Sequence, residues 1–274
     1  MTDERSSIII SIFGTTPGIG KTVTAINLAA GIAHEGYSVC LVDLDLQFGD
    51  VMNYLQLVSD KTIAAAQRMF KADPENFDIK KFLVEYRTGH YSFSVLPAPI
   101  FVSDAYQIDV MTVEYIISTQ LSYFDFVILD LNSVFSSLNL AMLDLSTIVN
   151  YLGVIDFLPA LKNFKIGYDT LIRFEYEGQK IRLVENRSDS QKLIKTSDAE
   201  KLLGTTFYHK LPNDFAAADK SIHEGRPLMF AAPDSKLTES FSELTARYTN
   251  RQEPLSLSSQ GSSIFSRALN VLFS

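Results

Sequence analysis

The chain has 274 residues, 46% of them apolar, and a formal charge of −8. That is enough for one large α/β core or two small ones, and it gives non-specific DNA binding little electrostatic support. The single cysteine, Cys40, rules out a disulfide framework and suits a reducing compartment, and the chain has neither an apolar run of about 18 residues nor the features of a signal peptide at its polar N-terminus.

Taken in chain order, an apolar run at 8–13 predicts a strand that enters a Gly-rich turn. Val23, Ile26, Ala30 and Ala33 then recur at helical steps, and Gly36 is placed to cap that helix. A strand follows near 37–43, helices near 61–71 and 76–87, a strand near 92–96 and a helix near 106–121. Strands near 125–131 and 147–155 lead to a helix at 160–173, a strand at 180–185, a helix at 197–203 and a strand at 205–208. Helices near 215–224 and 234–248 close the domain, so that residues 1–249 form one unit. Residues 250–263 are Ser-rich and read as a linker, and 264–274 as a short amphipathic helix. Strands alternating with helices predict an α/β fold: a doubly wound, mainly parallel sheet with helices on both faces. The run Phe126-Val127-Ile128-Leu129, apolar on both faces, agrees with that.

The chemistry starts at the turn. Residues 14–22 read Gly-Thr-Thr-Pro-Gly-Ile-Gly-Lys-Thr, a phosphate-binding loop of the P-loop NTPase kind with Thr15 where the strict pattern has Gly. Gly18 and Gly20 let the backbone approach a phosphate, whose charge the N–H groups of the following helix receive. Lys21 is placed to reach the β- and γ-oxygens, and the Thr22 hydroxyl to ligate Mg²⁺. The bland alternative is a Gly-rich turn that only joins strand and helix. Asp43 and Asp45 end one strand, and period-2 alternation points both the same way. They either serve the metal and an attacking water or merely cap a turn. Asp130 ends a second apolar strand in the Walker B manner, where a carboxylate meets Mg²⁺ through water. His34, His90, His209 and His223 show no metal-ligand spacing.

The segments Gly18–Thr22 and Leu41-Val42-Asp43-Leu44-Asp45-Leu46-Gln47-Phe48-Gly49-Asp50 resemble the MinD/ParA superfamily of deviant P-loop ATPases. The Asp-Leu-Gln-Phe-Gly-Asp run resembles its pilus-assembly branch, the TadZ/CpaE proteins. Val95-Leu96-Pro97-Ala98-Pro99, Pro159-Ala160-Leu161-Lys162-Asn163, Val184-Glu185-Asn186-Arg187, Leu211-Pro212-Asn213-Asp214 and Glu224-Gly225-Arg226-Pro227-Leu228 resemble later signatures in matching order, over roughly 8–248. The resemblance implies ATP and Mg²⁺ as cofactors and a face-to-face homodimer around the nucleotide. It implies a nucleotide site from Thr16, Pro17, Gly18, Ile19, Gly20, Lys21, Thr22 and Val23, with Asn186 on the adenine edge and the Pro212 backbone bordering the base. It further implies Asp45 positioning the hydrolytic water beside Lys21, and Thr22, Asp43 and Asp130 at the metal. A purely structural Asn186 is the alternative. Many branch members carry an N-terminal receiver-like domain. Here the loop's strand begins within ten residues of Met1, so a short or trimmed form is expected.

Two departures bear on turnover. The family's partner-reaching Lys is Thr16 here, with Pro17 in place of Gly, and Asp130 is followed by Leu131-Asn132-Ser133 instead of Asp-x-Pro-x-Gly. A cation at the transition state is worth several kcal/mol in P-loop enzymes, so its loss leaves binding feasible and hydrolysis slow. The expected function is a nucleotide-gated dimeric localisation and assembly factor for a Tad-type pilus or secretion system, with pilus or secretion assembly proteins as partners and DNA an unfavoured one. The alternative is an active ParA/MinD-type ATPase that positions DNA or another cargo. A bacterial tyrosine kinase is set aside, because no Tyr follows Tyr248. The location expected is cytoplasmic, with a cell pole or the inner membrane face as further options. Ile264, Phe265, Ala268, Leu269, Leu272 and Phe273 align on one helical face that offers a membrane contact, but Arg267 is its one cation, and docking on the domain or a partner is the favoured reading.

Overall fold

Strand β1 (Ile8–Phe13) carries the loop into α1 (Lys21–His34), and everything else is arranged around that unit in the computed structural model, which describes residues 7–189 and 194–249. The chain continues through β2 (Val39–Leu44), α2 (Val51–Tyr54), α3 (Ile63–Ala72), β3 (Val84–Thr88), β4 (Tyr91–Leu96), α4 (Val102–Ala105), α5 (Val110–Tyr115) and β5 (Phe126–Leu131). Its second half comprises α6 (Ser137–Leu145), β6 (Ile148–Gly153), α7 (Leu158–Arg173), β7 (Ile181–Asn186), α8 (Thr196–Leu203), β8 (His209–Leu211), α9 (Phe215–Glu224), α10 (Leu228–Ala231) and α11 (Lys236–Thr249).

The eight strands form one sheet in the order β3-β4-β2-β5-β1-β6-β7-β8. All pairings are parallel except β3 with β4. Alternate residues of β1 serve opposite cores: Ile10 and Ile12 pack with Ile26 and Leu28 of α1 and Leu244 of α11, while Ile9 and Phe13 pack with the α5–α7 side. Helices on both faces bury every residue of β2 and β5, which is why these strands read as continuous apolar runs. The doubly wound, mainly parallel α/β fold is therefore as expected. Gly36, at φ 89°, closes α1 by donating its N–H to the Ala33 carbonyl.

Some elements differ from the expected ones. Residues 76–87 are not a helix. A 3₁₀ turn at Ile79–Phe82 is followed by β3, whose Tyr86 is buried while Glu85 and Arg87 face outward and pair at 2.6 Å. That two-residue alternation makes an antiparallel hairpin with β4. The helix expected at 106–121 starts four residues late, at Val110, and runs through a final π turn at Ile116–Gln120. Gln67 of α3 holds the turn before it, donating to the Gln107 carbonyl at 2.8 Å and accepting the Asp109 N–H at 2.7 Å. Helix α6 was not foreseen, and β8 lies a few residues beyond the expected 205–208. The linker at 250–263 and the amphipathic helix at 264–274 lie outside the described residues.

His209 on β8 is buried, and its Nε2 lies 2.9 Å from the Ser240 carbonyl of α11. Burial pulls its pKa down to about 4. A depressed histidine favours folding above its unfolded value, about 6.5, and that contribution is lost as pH falls toward 4. Unfolding free energies from denaturant titrations across pH 6.5 to 4 should fall by roughly 2–3 kcal/mol more for the native chain than for His209→Gln. Parallel curves for the two proteins would refute this.

Candidate functional site

The order of strands reverses at β1, which lies between β5 and β6, and the crevice beyond the carboxyl ends of these strands is where α/β sheets bind ligands. The loop from Gly14 to Gly20 fills the entrance to that crevice. Gly18 and Gly20 sit at φ 70° and 93°, a left-handed conformation that side chains other than glycine seldom adopt. A Cβ on Gly20 would also approach Asn186 Nδ2 to 2.6 Å. Ile19 anchors the turn. Its side chain is buried among Leu152, Val184 and Leu211, so it can serve a ligand only through its backbone.

Thr15, the irregular position, has a structural purpose. Its hydroxyl donates to the Asn163 carbonyl at 2.8 Å and lies 2.9 Å from the Tyr151 hydroxyl, fastening the loop to α7. Thr16 is half-buried beside it, and Pro17 and Gly18 are exposed at the mouth.

Lys21, Thr22 and Val23 begin α1 and line a cleft of about 740 Å³ together with Pro17, Asp45 and Ser133. Thr22 Oγ1 donates to Asp130 Oδ2 at 2.7 Å, and Lys21 Nζ donates to Ser133 Oγ at 2.7 Å. Asp130 Oδ1 is buried and has no hydrogen-bond partner among the described residues. Burial raises the Asp130 carboxyl to about 7, against the Thr22 hydrogen bond and the Lys21 charge. Burial also lowers Lys21, while Asp130 and Asp45 pull it back up.

Asp43 stands beside Asp130 on the neighbouring strand. Burial, and then Asp130, push its carboxyl well above the usual range. Its oxygens accept the N–H groups of Asp45 and Val51, each at 3.2 Å. β2 ends at Leu44, so the strand's alternation does not extend to Asp45. Asp43 lines a cleft with Gly49 and Pro97, which adjoins the cleft lined by Lys21 and Asp45 across Gln47, Phe48 and Asp50.

A buried threonine–aspartate pair with one orphaned carboxylate oxygen fits a divalent cation. No group of three or more His, Cys, Asp or Glu side chains among the described residues could cage one. Such an ion would lean on Thr22, on Asp130 through water, and on phosphate oxygens, the habit of Mg²⁺.

A second cleft, of about 190 Å³, adjoins the first across Gly18, Gly20 and Val23 and is lined by Asn186, Pro212 and Phe215. Asn186 Nδ2 donates to the Ile19 carbonyl at 2.7 Å and its Oδ1 accepts the Arg187 N–H at 2.9 Å. The side chain is thus a strut for the loop as well as a wall of this cleft. Arg187, at φ 56°, donates from Nη2 to the Gly18 carbonyl at 3.1 Å.

Sequence reasoning did not anticipate the Ser133 contact, the Arg187 contact or Phe215, which is 75% exposed at the cleft's edge. Arg187 and Ser133 stood within segments already singled out; Phe215 had no local signal.

Solved structures share this architecture. A ParA family ATPase from Chlorobium tepidum TLS superimposes with a TM-score of 0.79 at 20% identity, over 88% of this chain and 99% of that one. The septum site-determining protein MinD complexed with Mg-ADP from Pyrococcus horikoshii OT3 gives 0.74 at 19%, over 89% and 96%. The MinC:MinD cell division protein complex of Aquifex aeolicus gives 0.72 at 16%, over 93% and 100%. The family model described as "AAA domain" matches residues 7–152, more than half of the chain. The chain therefore belongs to this AAA-domain family and folds as the ParA and MinD ATPases do.

Proposed function

We propose that this protein binds ATP with Mg²⁺ as a homodimeric positioning factor, that nucleotide gates its dimerisation and partner binding, and that it turns ATP over slowly or not at all. The observation that carries the reading is the Thr22–Asp130 pair with its orphaned Oδ1, set beside Lys21 behind two left-handed glycines. The loop backbone and Lys21 would hold the phosphates; Thr22 and Asp130 would hold the ion, with Asp43 beside them. The ion neutralises phosphate charge when bound. Asn186 and Pro212 would border the base. The MinD from Pyrococcus horikoshii OT3, described as complexed with Mg-ADP, supports the same ligand class here.

Thr16 underlies the slow-turnover part of the reading, since it provides no cation for a partner's phosphate. The TadZ/CpaE-like run Asp45–Asp50 supports a role in assembling a Tad-type pilus or secretion system, at a cell pole or on the inner membrane face. Among the described residues, no helix is long and apolar enough to cross a membrane. A second reading, an active ParA/MinD-type ATPase that moves cargo, is favoured by Asp45 lining Lys21's cleft, where a water-orienting carboxylate is needed.

Phosphate release measured beside a nucleotide titration separates the two. The expected result is Mg-ATP binding with release well below a turnover per minute. Release on the order of a turnover per minute or faster establishes the second reading instead.

A further inference from the structure

We propose that β3 is a self-recognition edge, at which two copies of this chain join by pairing their β3 strands antiparallel around Tyr86. The contact lies at the rim of the sheet, away from the crevice beyond β1, so it needs no nucleotide.

The sheet ends in β3 on one side and in β8 on the other. An edge strand presents unpaired N–H and C=O groups, which invite another strand unless something blocks them. The β8 edge is short and covered: it has three residues, and Ser240 of α11 donates its hydroxyl to the Lys210 carbonyl at 3.0 Å. The β3 edge has five residues and carries neither a proline nor a bulge. Gly89 and His90 make the two-residue turn into β4, with Gly89 at φ 58°, so Thr88 and Tyr91 close the hairpin as a hydrogen-bonded pair. Alternation then aims the backbone groups of Tyr86 at β4 and those of Glu85 and Arg87 outward. Among the described residues, no hydrogen bond from outside the hairpin reaches the backbone of Glu85 or Arg87.

The side chains of this edge suit a second copy of the same chain. Centred on Tyr86, antiparallel pairing sets Glu85 opposite the partner's Arg87 and Arg87 opposite the partner's Glu85. Each such pair exchanges both of its backbone hydrogen bonds and brings opposite charges face to face, with Cα atoms about 5.5 Å apart. Sliding by two residues in either direction would instead set Glu85 against Glu85 or Arg87 against Arg87, and like charges directly opposite are destabilising. A slide by one residue would put the wrong face of the strand against the core. The charge pattern therefore selects one register. Glu85 and Arg87, both exposed, already pair at 2.6 Å within the strand, and in the dimer the same charges pair again between strands. Tyr86 holds the edge in place beforehand: its buried ring packs on Phe93 with centroids 5.1 Å apart, and its hydroxyl donates to the Gly225 carbonyl at 3.3 Å.

The test is sedimentation equilibrium of the full chain without nucleotide and in excess chelator. An interface this small should give a reversible dimer with a dissociation constant on the order of 10–100 μM. Glu85→Arg and Arg87→Glu each set like charges opposite one another, and each alone should weaken the dimer about tenfold or more. An equimolar mixture of the two variants, in which every Glu again faces an Arg, should regain the native affinity. Both positions are exposed, so thermal unfolding of either variant should move little, which separates loss of the dimer from loss of the fold. A native chain that stays monomeric up to about 1 mM overturns the assignment. So does a dimer indifferent to the single variants, or a mixture that fails to recover. A dimer that forms only when Mg-ATP is added overturns it as well, and leaves the nucleotide-gated reading above intact.

Discussion

Replacing Lys21 with Ala should lower the affinity for Mg-ATP by about a hundredfold or more. The ammonium is desolvated at the cleft floor, where burial lowers its pKa and only Asp130 and Asp45 hold its charge in place. Its hydrogen bond to Ser133 occupies one of three donors, leaving two for phosphate oxygens. Two charge-assisted bonds at roughly 1.5–3 kcal/mol each exceed the ~2.7 kcal/mol that corresponds to a hundredfold. Stability should change little, because the core face of α1 is built from Ala25, Ile26, Leu28, Ala29 and Ile32, none of which touches this change. The measurement is a titration beside thermal unfolding of the same preparation. Unaltered affinity in a folded Lys21→Ala protein would mean that the cleft is not a phosphate site.

The parts of this site that were legible in the sequence are those built from one contiguous segment. The strand–loop–helix unit around Gly18–Thr22 signals itself through spacing alone, and so do the strand-end carboxylates Asp43 and Asp130. What was not legible depends on pairing across the fold. Lys21 meets Ser133 over a separation of 112 residues, and Asn186 meets Ile19 over 167. No local pattern encodes either. The late start of the helix expected at 106–121 is of the same kind, since the turn before it is held by Gln67 from another helix. The β3–β4 hairpin is a different failure. Its alternation was present in Val84-Glu85-Tyr86-Arg87-Thr88, but mixed polar and apolar residues at a sheet edge also satisfy a helical spacing over so short a run. Thr15 teaches a third lesson. Its departure from the strict loop pattern had no assigned purpose in the sequence, and the structure uses it to fasten the loop to α7.

Asp130→Asn should separate stability from metal use by moving them in opposite directions. In the free protein the Asp130 carboxyl is raised to about 7 by burial beside Asp43, so at pH 8 folding must keep a poorly solvated anion ionised. For a carboxyl whose folded pKa lies above its unfolded value, the unfavourable contribution grows as pH rises from about 4 to about 7 and is fully present above that. Asparagine keeps the shape and can still accept the Thr22 hydroxyl, while removing the charge. Unfolding free energy at pH 8 should therefore increase by about 2–4 kcal/mol, since the value of about 7 is already net of the attraction to Lys21. The increase should vanish near pH 4, where the native carboxyl is already protonated. Nucleotide binding should respond in the other sense. The orphaned Oδ1 is the oxygen suited to the hydration shell of Mg²⁺, so the substitution should reduce Mg-ATP affinity about ten- to a hundredfold. Binding of ATP in excess chelator, free of the ion, should be unchanged or slightly tighter. Titrations with and without Mg²⁺, run beside denaturant unfolding at pH 4 and 8, read all four quantities. A variant that is less stable at pH 8 would contradict the burial argument, and one whose Mg²⁺ dependence survives intact would remove Asp130 from the metal site.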